Sequence, residues 1–204
     1  MEQDLNELVL TISDVAYNKA PYKYKNTKIL FTDKDYRDLK LKKGKDYEVK
    51  YTTLSNNAAP AAGEEVSVEI TAIDGGCYKG TVTGSYRITD SKKHIDISKA
   101  KVFINPDNKG KTRACTYTGI GIEPAYGKNP GLVITMGKDT LDPKSGDEGD
   151  YEIIGYFNNI KTGNNAVILI RGIGKYRGVR AVKFKIDANS LDKNKNSWGG
   201  VYGQ

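Results

Sequence analysis

Residues 76–88, GCYKGTVTGSYRI, return in kind at 174–186 as GKYRGVRAVKFKI. In both stretches a Tyr is followed two residues later by Gly, and a run of alternating apolar and polar residues ends on Ile. Tyr78 and Tyr176 lie 98 residues apart, as do Ile88 and Ile186. That period is domain-sized, so the pair predicts a duplicated unit rather than an isolated motif.

Outward from this stretch the correspondence continues. LKKGKDYEVKY at 41–51 and GEEVSVEITAIDGGCYKGTVTGSYRI at 63–88 are matched by GDEGDYEIIGY at 146–156 and GNNAVILIRGIGKYRGVRAVKFKI at 163–186. The order Asp-Tyr-Glu, apolar strand, Gly turn, Tyr-x-Gly, apolar strand is kept while the loops differ in length, the mark of a duplicated β unit. In EVSVEI, Val66, Val68 and Ile70 share one face, with Ser67 and Glu69 on the other. In TVTGSYRI, Val82, Tyr86 and Ile88 alternate with Thr83, Ser85 and Arg87. The second copy places Val182, Phe184 and Ile186 inward and Lys183 and Lys185 outward. AVILI at 166–170 is apolar on both faces, so that strand is either central or covered by something. No segment carries a capped helical stripe, and the expected class is all-β.

Boundaries follow from composition. One β-sandwich is expected over 1–90 and a second over 91–187, with 188–204 a polar C-terminal tail or linker whose Trp198 and Tyr202 are available to a partner. TDSKKHIDISK at 89–99 reads as a short charged connection, although Ile95 and Ile97 also suit the start of the next unit's first strand. Two sandwiches joined so briefly are expected to stack end to end. In that arrangement Cys77 and Cys115 stand farther apart than the roughly 7 Å between Cα atoms that a disulfide spans, and both thiols are expected free.

Each unit holds about six to seven short strands in roughly 85 to 95 residues, the size and turn spacing of an immunoglobulin-like sandwich. A Tyr-x-x-x-Pro segment (YNKAP at 17–21) with its counterpart YTGIGIEP at 117–124, Gly-x-Asp-Tyr-x-Val/Ile, an Asn-rich loop and Gly-x-x-Tyr-x-Gly recur in fixed order. This order resembles the bacterial immunoglobulin-like repeat modules of large Gram-positive cell-surface proteins. The resemblance covers about 15–88 and 115–186 and is closer in the second copy. TLSNNAAPAAGEE at 53–65 and the extra residues of DGGCYKG depart from the pattern in the first. It implies two tandem immunoglobulin-like domains acting as a spacer or stalk in a secreted or cell-surface protein, with neighbouring domains of the same protein as partners. The chain opens MEQDLNELVLTISD, without the basic start and apolar core of an export signal. Either the protein is intracellular or its signal lies outside this chain.

The repeated Tyr and Gly have a structural reading. Tyr78 and Tyr176 are expected to bury their rings and send their hydroxyls to backbone near the turn, with Gly80 and Gly178 supplying a positive φ or a close backbone passage. The less favoured reading makes the two rings ligand-stacking platforms.

Material for catalysis is scarce. The single His, His94, sits in the charged connection and is expected to be solvated. Two cysteines and one histidine exclude structural zinc. Asp46/Glu48 and Asp150/Glu152 are carboxylate pairs by type, yet each lies along one strand face rather than across a cleft. Asp142, Asp147, Glu148 and Asp150 lack the EF-hand order, and an ordinary acidic turn is preferred to a calcium loop. The reading is a protein that is not an enzyme and carries no cofactor, and no run reaches membrane-spanning length.

Charge separates the halves. Residues 1–90 hold 13 Lys and Arg against 14 Asp and Glu, and 91–204 hold 19 against 11, so the second half supplies the whole net +7. Arg171, Lys175, Arg177, Lys183 and Lys185 gather near one hairpin as candidate anion-binding residues, and Arg180 shares the parity of core residues. A glycan or anionic cell-wall polymer bound through the second half is therefore the alternative to a pure spacer. No recognition-helix or finger pattern supports nucleic acid.

Overall fold

The computed structural model describes residues 2–19, 23–54, 59–90, 94–107 and 109–188. The Ala20 and Pro21 of YNKAP, and the tail beyond Ala188 with Trp198 and Tyr202, lie outside the described residues. Among the described residues the fold is all-β, with only single-turn 3-10 helices beside the strands.

The first half contains β1 (Gln3–Asp4), β2 (Val9–Ile12), β3 (Val15–Ala16), β4 (Ile29–Thr32), β5 (Asp38–Leu39), β6 (Tyr47–Thr52), β7 (Glu65–Ala72), β8 (Tyr78–Lys79) and β9 (Thr81–Thr89). The second repeats them as β10 (Ile95–Asp96), β11 (Lys101–Ile104), β12 (Cys115–Thr116), β13 (Leu132–Met136), β14 (Asp139–Thr140), β15 (Tyr151–Phe157), β16 (Gly163–Gly172), β17 (Tyr176–Arg177) and β18 (Val179–Asp187). Each half builds a three-stranded sheet, β2-β4-β5 or β11-β13-β14, and a four-stranded sheet, β3-β9-β7-β6 or β12-β18-β16-β15. The strand order is the same in both, so the repeat in the sequence is a repeat in topology.

Alternation places the core. Val66, Val68 and Ile70 of β7 are buried with Tyr86 and Ile88 of β9 against Ile12 and Phe31 of the opposite sheet. Ala166, Ile168 and Ile170 of β16 and Phe184 and Ile186 of β18 do the same against Ile104, Leu132 and Ile134. The two cores share no residue. Lys183 and Lys185 project outward, as expected from their parity.

The other face of AVILI identifies what covers it. Val167 and Leu169, each 2% exposed, form a separate buried cluster with Phe157, and Val9 and Tyr36 of the first half pack against it. The outer face of one half's four-stranded sheet is thus covered by the other half. This corrects the end-to-end expectation: apolar side chains of a strand exposed on both faces gain about 1.5–3 kcal/mol each when covered, and face contact supplies that burial.

The 89–99 segment also differs from a solvated connection. Ile95 and Asp96 pair in parallel with Tyr176 and Arg177, and Ile97 is fully buried. His94 is half-buried, its Nε2 2.5 Å from Thr89 Oγ1, and burial lowers its pKa from the usual value, followed in weight by the nearby positive charge of Arg177. Cys77 and Cys115 are both free, the first exposed and the second buried.

Candidate functional site

The Tyr-x-Gly turns explain themselves through a segment that the sequence reading passed over. Asp4 and Asp96 each cap a 3-10 turn, accepting the N–H of Asn6 and of Ser98 at 2.9 Å. These backbone N–H bonds, ahead of every other influence, hold both carboxyls below the ordinary aspartate value. β1 and β10 lie parallel to β8 and β17, so each Asp runs directly beside the glycine of its turn. A Cβ on Gly80 (φ 84°) would stand 2.7 Å from Asp4 Oδ1, and one on Gly178 (φ 83°) 3.1 Å from Asp96 Oδ1. DLNEL at 4–8 and DISKA at 96–100 were the available signal: an Asp followed by apolar residues one and four positions on.

Tyr176 buries its ring, with Lys175 Nζ 5.2 Å from the ring centroid, while Tyr78 is half-buried. Hydroxyl-to-backbone bonds are made by other tyrosines: Tyr86 donates to the Tyr24 carbonyl at 2.6 Å, Tyr156 to Pro124 at 2.9 Å and Tyr51 to Lys25 at 3.3 Å. The turns themselves are held by backbone. Gln3 N–H donates to Cys77 O at 3.0 Å and Ile95 N–H to Lys175 O at 2.9 Å.

Three of the four carboxylates named by type, Asp46, Asp150 and Glu152, are occupied. Asp46 Oδ2 accepts Lys42 N–H at 2.6 Å and Asp150 Oδ2 accepts Asp142 N–H at 3.1 Å, each closing the loop before its strand. Glu48 is exposed. Glu152 accepts from Lys144 Nζ at 3.0 Å and from Arg171 Nη2 at 2.5 Å. Burial alone would raise its pKa, but Arg171 and Lys144 together hold it below the usual glutamate value. In the acidic turn, Asp147 pairs with Arg87 of the first half. Among the described residues no group of three His, Cys, Asp or Glu side chains is placed to hold a metal ion.

The basic candidates disperse. Arg171 is drawn into the junction of the halves, where Nη1 donates to the Ile12 carbonyl at 2.7 Å and its side chain is only 13% exposed. Lys175 lies 3.9 Å from Asp150. Arg177 lines a small opening with Asp14 and His94. Lys185 pairs with Asp187 at 2.7 Å, and Arg180 donates to the Ser98 carbonyl. Lys183 lines a wider opening.

That opening is a cleft of about 630 Å³ between the halves, lined by Asp35 and Tyr36 on one side and by the 158–162 turn, Asn165, Val167 and Lys183 on the other. A second cavity, about 420 Å³, lies around Asp14, Arg87, Lys144, Asp147 and Arg171. Asp14 accepts Arg87 N–H at 2.9 Å there, and burial raises its pKa above the usual aspartate value. The junction thus combines an apolar contact, a partly covered guanidinium bridge and two polar openings.

Comparison of the chain with family models, with curated proteins and with solved structures finds no match.

Proposed function

We propose that the chain is a pair of tandem immunoglobulin-like domains serving as a non-catalytic, rigid spacer in a bacterial surface or secreted multidomain protein. The order of motifs in both copies supports the family, and the junction supports the rigidity. The observation that carries the reading is the docking of Val9 and Tyr36 on Phe157, Val167 and Leu169, flanked by the Arg171 bridge to Ile12. An apolar contact closed by a charge-assisted hydrogen bond resists the hinge motion that short linkers otherwise permit. Its partners are the neighbouring domains of a longer protein. Among the described residues no helix is long and apolar enough to cross a membrane.

Small-angle scattering of the intact chain tests the reading. A single side-packed shape whose radius of gyration is unchanged by salt supports it, and an ensemble of separated halves rejects it.

A second reading, an adhesive module for a glycan or anionic polymer, is favoured by one observation. Lys161 and Lys183 border the same cleft and make no ion pair with any described residue.

A further inference from the structure

Resting on the second of these readings, we infer that the cleft between Tyr36 and the 158–165 turn binds an acidic, hydroxyl-rich saccharide bearing a uronate-type carboxylate. At about 630 Å³ it has the size of a small-ligand site, and it lies at a domain junction, where such sites concentrate.

Both walls are held in place before any ligand arrives. On the first, the Asp33 carboxylate, 4% exposed as a residue, accepts Asp35 N–H at 3.0 Å, Arg37 N–H at 2.8 Å and Arg37 Nε at 2.6 Å, fixing the turn that presents Tyr36. On the second, Asn159 Nδ2 donates to Ile122 O at 3.0 Å while Ile122 N–H donates back to Asn159 O at 3.0 Å. Asn158 Nδ2 reaches Asp35 O at 3.4 Å and ties the walls together. Tyr36 (φ 58°) and Asn158 (φ 52°) are two of the three non-glycine residues in the left-handed region among those described. For a ring as bulky as Tyr36 that conformation is a genuine outlier, the kind of local strain that concentrates at ligand sites. Fixed walls lower the ordering cost of binding.

The lining specifies the ligand class. Tyr36 and Ile160, the latter 57% exposed, offer apolar surface to the C–H face of a sugar ring, over the buried Val167. Asn158 and Asn165 present side-chain amides, each with a donor and an acceptor side, the complement of adjacent hydroxyls. The Lys161 and Lys183 ammoniums call for a negative charge in the ligand. Asp35, with Arg37 Nη2 3.6 Å from its carboxylate, accepts from hydroxyls. The guanidinium forks that best match phosphate are committed elsewhere, Arg171 to Glu152 and Ile12, and Arg180 to Ser98. A uronate-bearing oligosaccharide can turn hydroxyls to Asp35 and its carboxylate to the lysines, whereas a fully ionised polyphosphate has no donor for Asp35.

An amide chemical-shift titration of the full chain tests the site, using oligogalacturonate and hyaluronan hexasaccharide as probes, with a neutral galacto-oligosaccharide and polyphosphate as comparators. Saturable shifts are expected at Tyr36, Asn159, Ile160 and Asn165 with an acidic probe. Affinity should fall about tenfold or more in K161E/K183E and weaken with salt. K185E, whose lysine is paired with Asp187 outside the cleft, should bind as the parent does. The parent spectrum away from the cleft reports that K161E/K183E is folded. No saturable shift with either acidic probe overturns the site, and no saturable shift with any of the four probes overturns the adhesive reading as well. Binding that survives K161E/K183E but is lost in K185E or R177E keeps the adhesive reading and overturns this site. Equal shifts with polyphosphate at the same residues overturn the saccharide assignment.

Discussion

Leu169 occupies the position in the second half that Glu69 occupies in the first: Glu69 lies opposite Thr83 and Leu169 opposite Ala181, the same register of the repeated hairpin. The neighbouring outward residues change in the same sense, from Ser67 to Val167. In the first half this face is polar, lining a shallow opening with Thr52, Ser67, Glu69, Thr83 and Ser85. In the second it is the surface on which the first half docks. The duplication therefore conserved the cores and diverged on one outer face, where one copy meets water and the other meets its neighbour. Leu169→Glu restores the first copy's residue and places a carboxylate against Val179 and Tyr36. The halves are expected to separate, seen as an increased radius of gyration and a loss of about 2–3 kcal/mol in urea unfolding. Glu69→Leu, on the solvated face, should leave stability within about 0.5 kcal/mol. An unchanged radius in Leu169→Glu would remove the docking contact from the account.

The Arg171–Glu152 pair sits beside this contact and gives a pH signature. Glu152 is cross-strand to Arg171 and its folded pKa is depressed. Its stabilisation is then fully present above the unfolded value of about 4.3 and drains away as pH falls through the folded value. Asp14 has the opposite sign: its folded pKa is raised, so stability is lost as pH rises from about 3.9 through the folded value, and its ionised form is a cost at neutral pH. Glu152→Gln should flatten the acid limb of a stability–pH curve, and Asp14→Asn, which keeps an acceptor for Arg87 N–H, should raise stability at pH 7. Arg171→Met should cost about 2–3 kcal/mol, below the full cost of a broken buried pair because Lys144 still faces Glu152, and most of this should return in Arg171→Met/Glu152→Leu. Urea midpoints between pH 3 and 8 check all of these, and identical acid limbs in parent and Glu152→Gln would show that the pair does not carry the dependence.

The period-two runs were fully legible in the sequence because a half-buried strand must alternate: EVSVEI, TVTGSYRI and VKFKI all place their apolar residues in the cores. AVILI announced a second covered face but not its cover, since parity states which side a residue takes and not what lies there. Arg171 shares the outward parity of Val167 and Leu169 and therefore read as a candidate anion-binding residue; the first half's docking draws it under cover. The Tyr36–Asn158 cleft was invisible for the same reason, its walls being about 120 residues apart in the chain. The Asp caps at 4 and 96 were missed because three-residue turns leave no periodic trace.

Those caps make the two glycines unequal. Any Cβ at Gly80 or Gly178 meets a φ near 84°, costing about 1–2 kcal/mol in the left-handed region. Gly80→Ala adds an approach of 2.7 Å to Asp4 Oδ1, where Gly178→Ala meets Asp96 Oδ1 at 3.1 Å. Gly80→Ala is expected to be the more destabilising by thermal unfolding. Combining it with Asp4→Ala should cost less than the two single changes summed, because removing the carboxylate removes the clash. Strict additivity of the two changes would show that the carboxylate is not what the glycine accommodates.

The two thiols should differ in reactivity by far more than their shared chemistry suggests. Cys77 is exposed in the turn before β8, whereas Cys115 is 1% exposed, paired along β18 opposite Ile186, and burial pushes its thiol up to about 11. The attacking species is the thiolate, so Cys115 is protected both by cover and by protonation. A thiol reagent at pH 8 should modify one equivalent rapidly in the native chain, at Cys77 by peptide mapping, and the second only as the C-terminal half unfolds. Added denaturant then reports that half separately: in Leu169→Glu the Cys115 reaction should begin at lower urea, while the Cys77 rate stays constant. Rapid native modification of Cys115 in the parent would mean that the β12–β18 pair opens far more readily than its burial in the core implies.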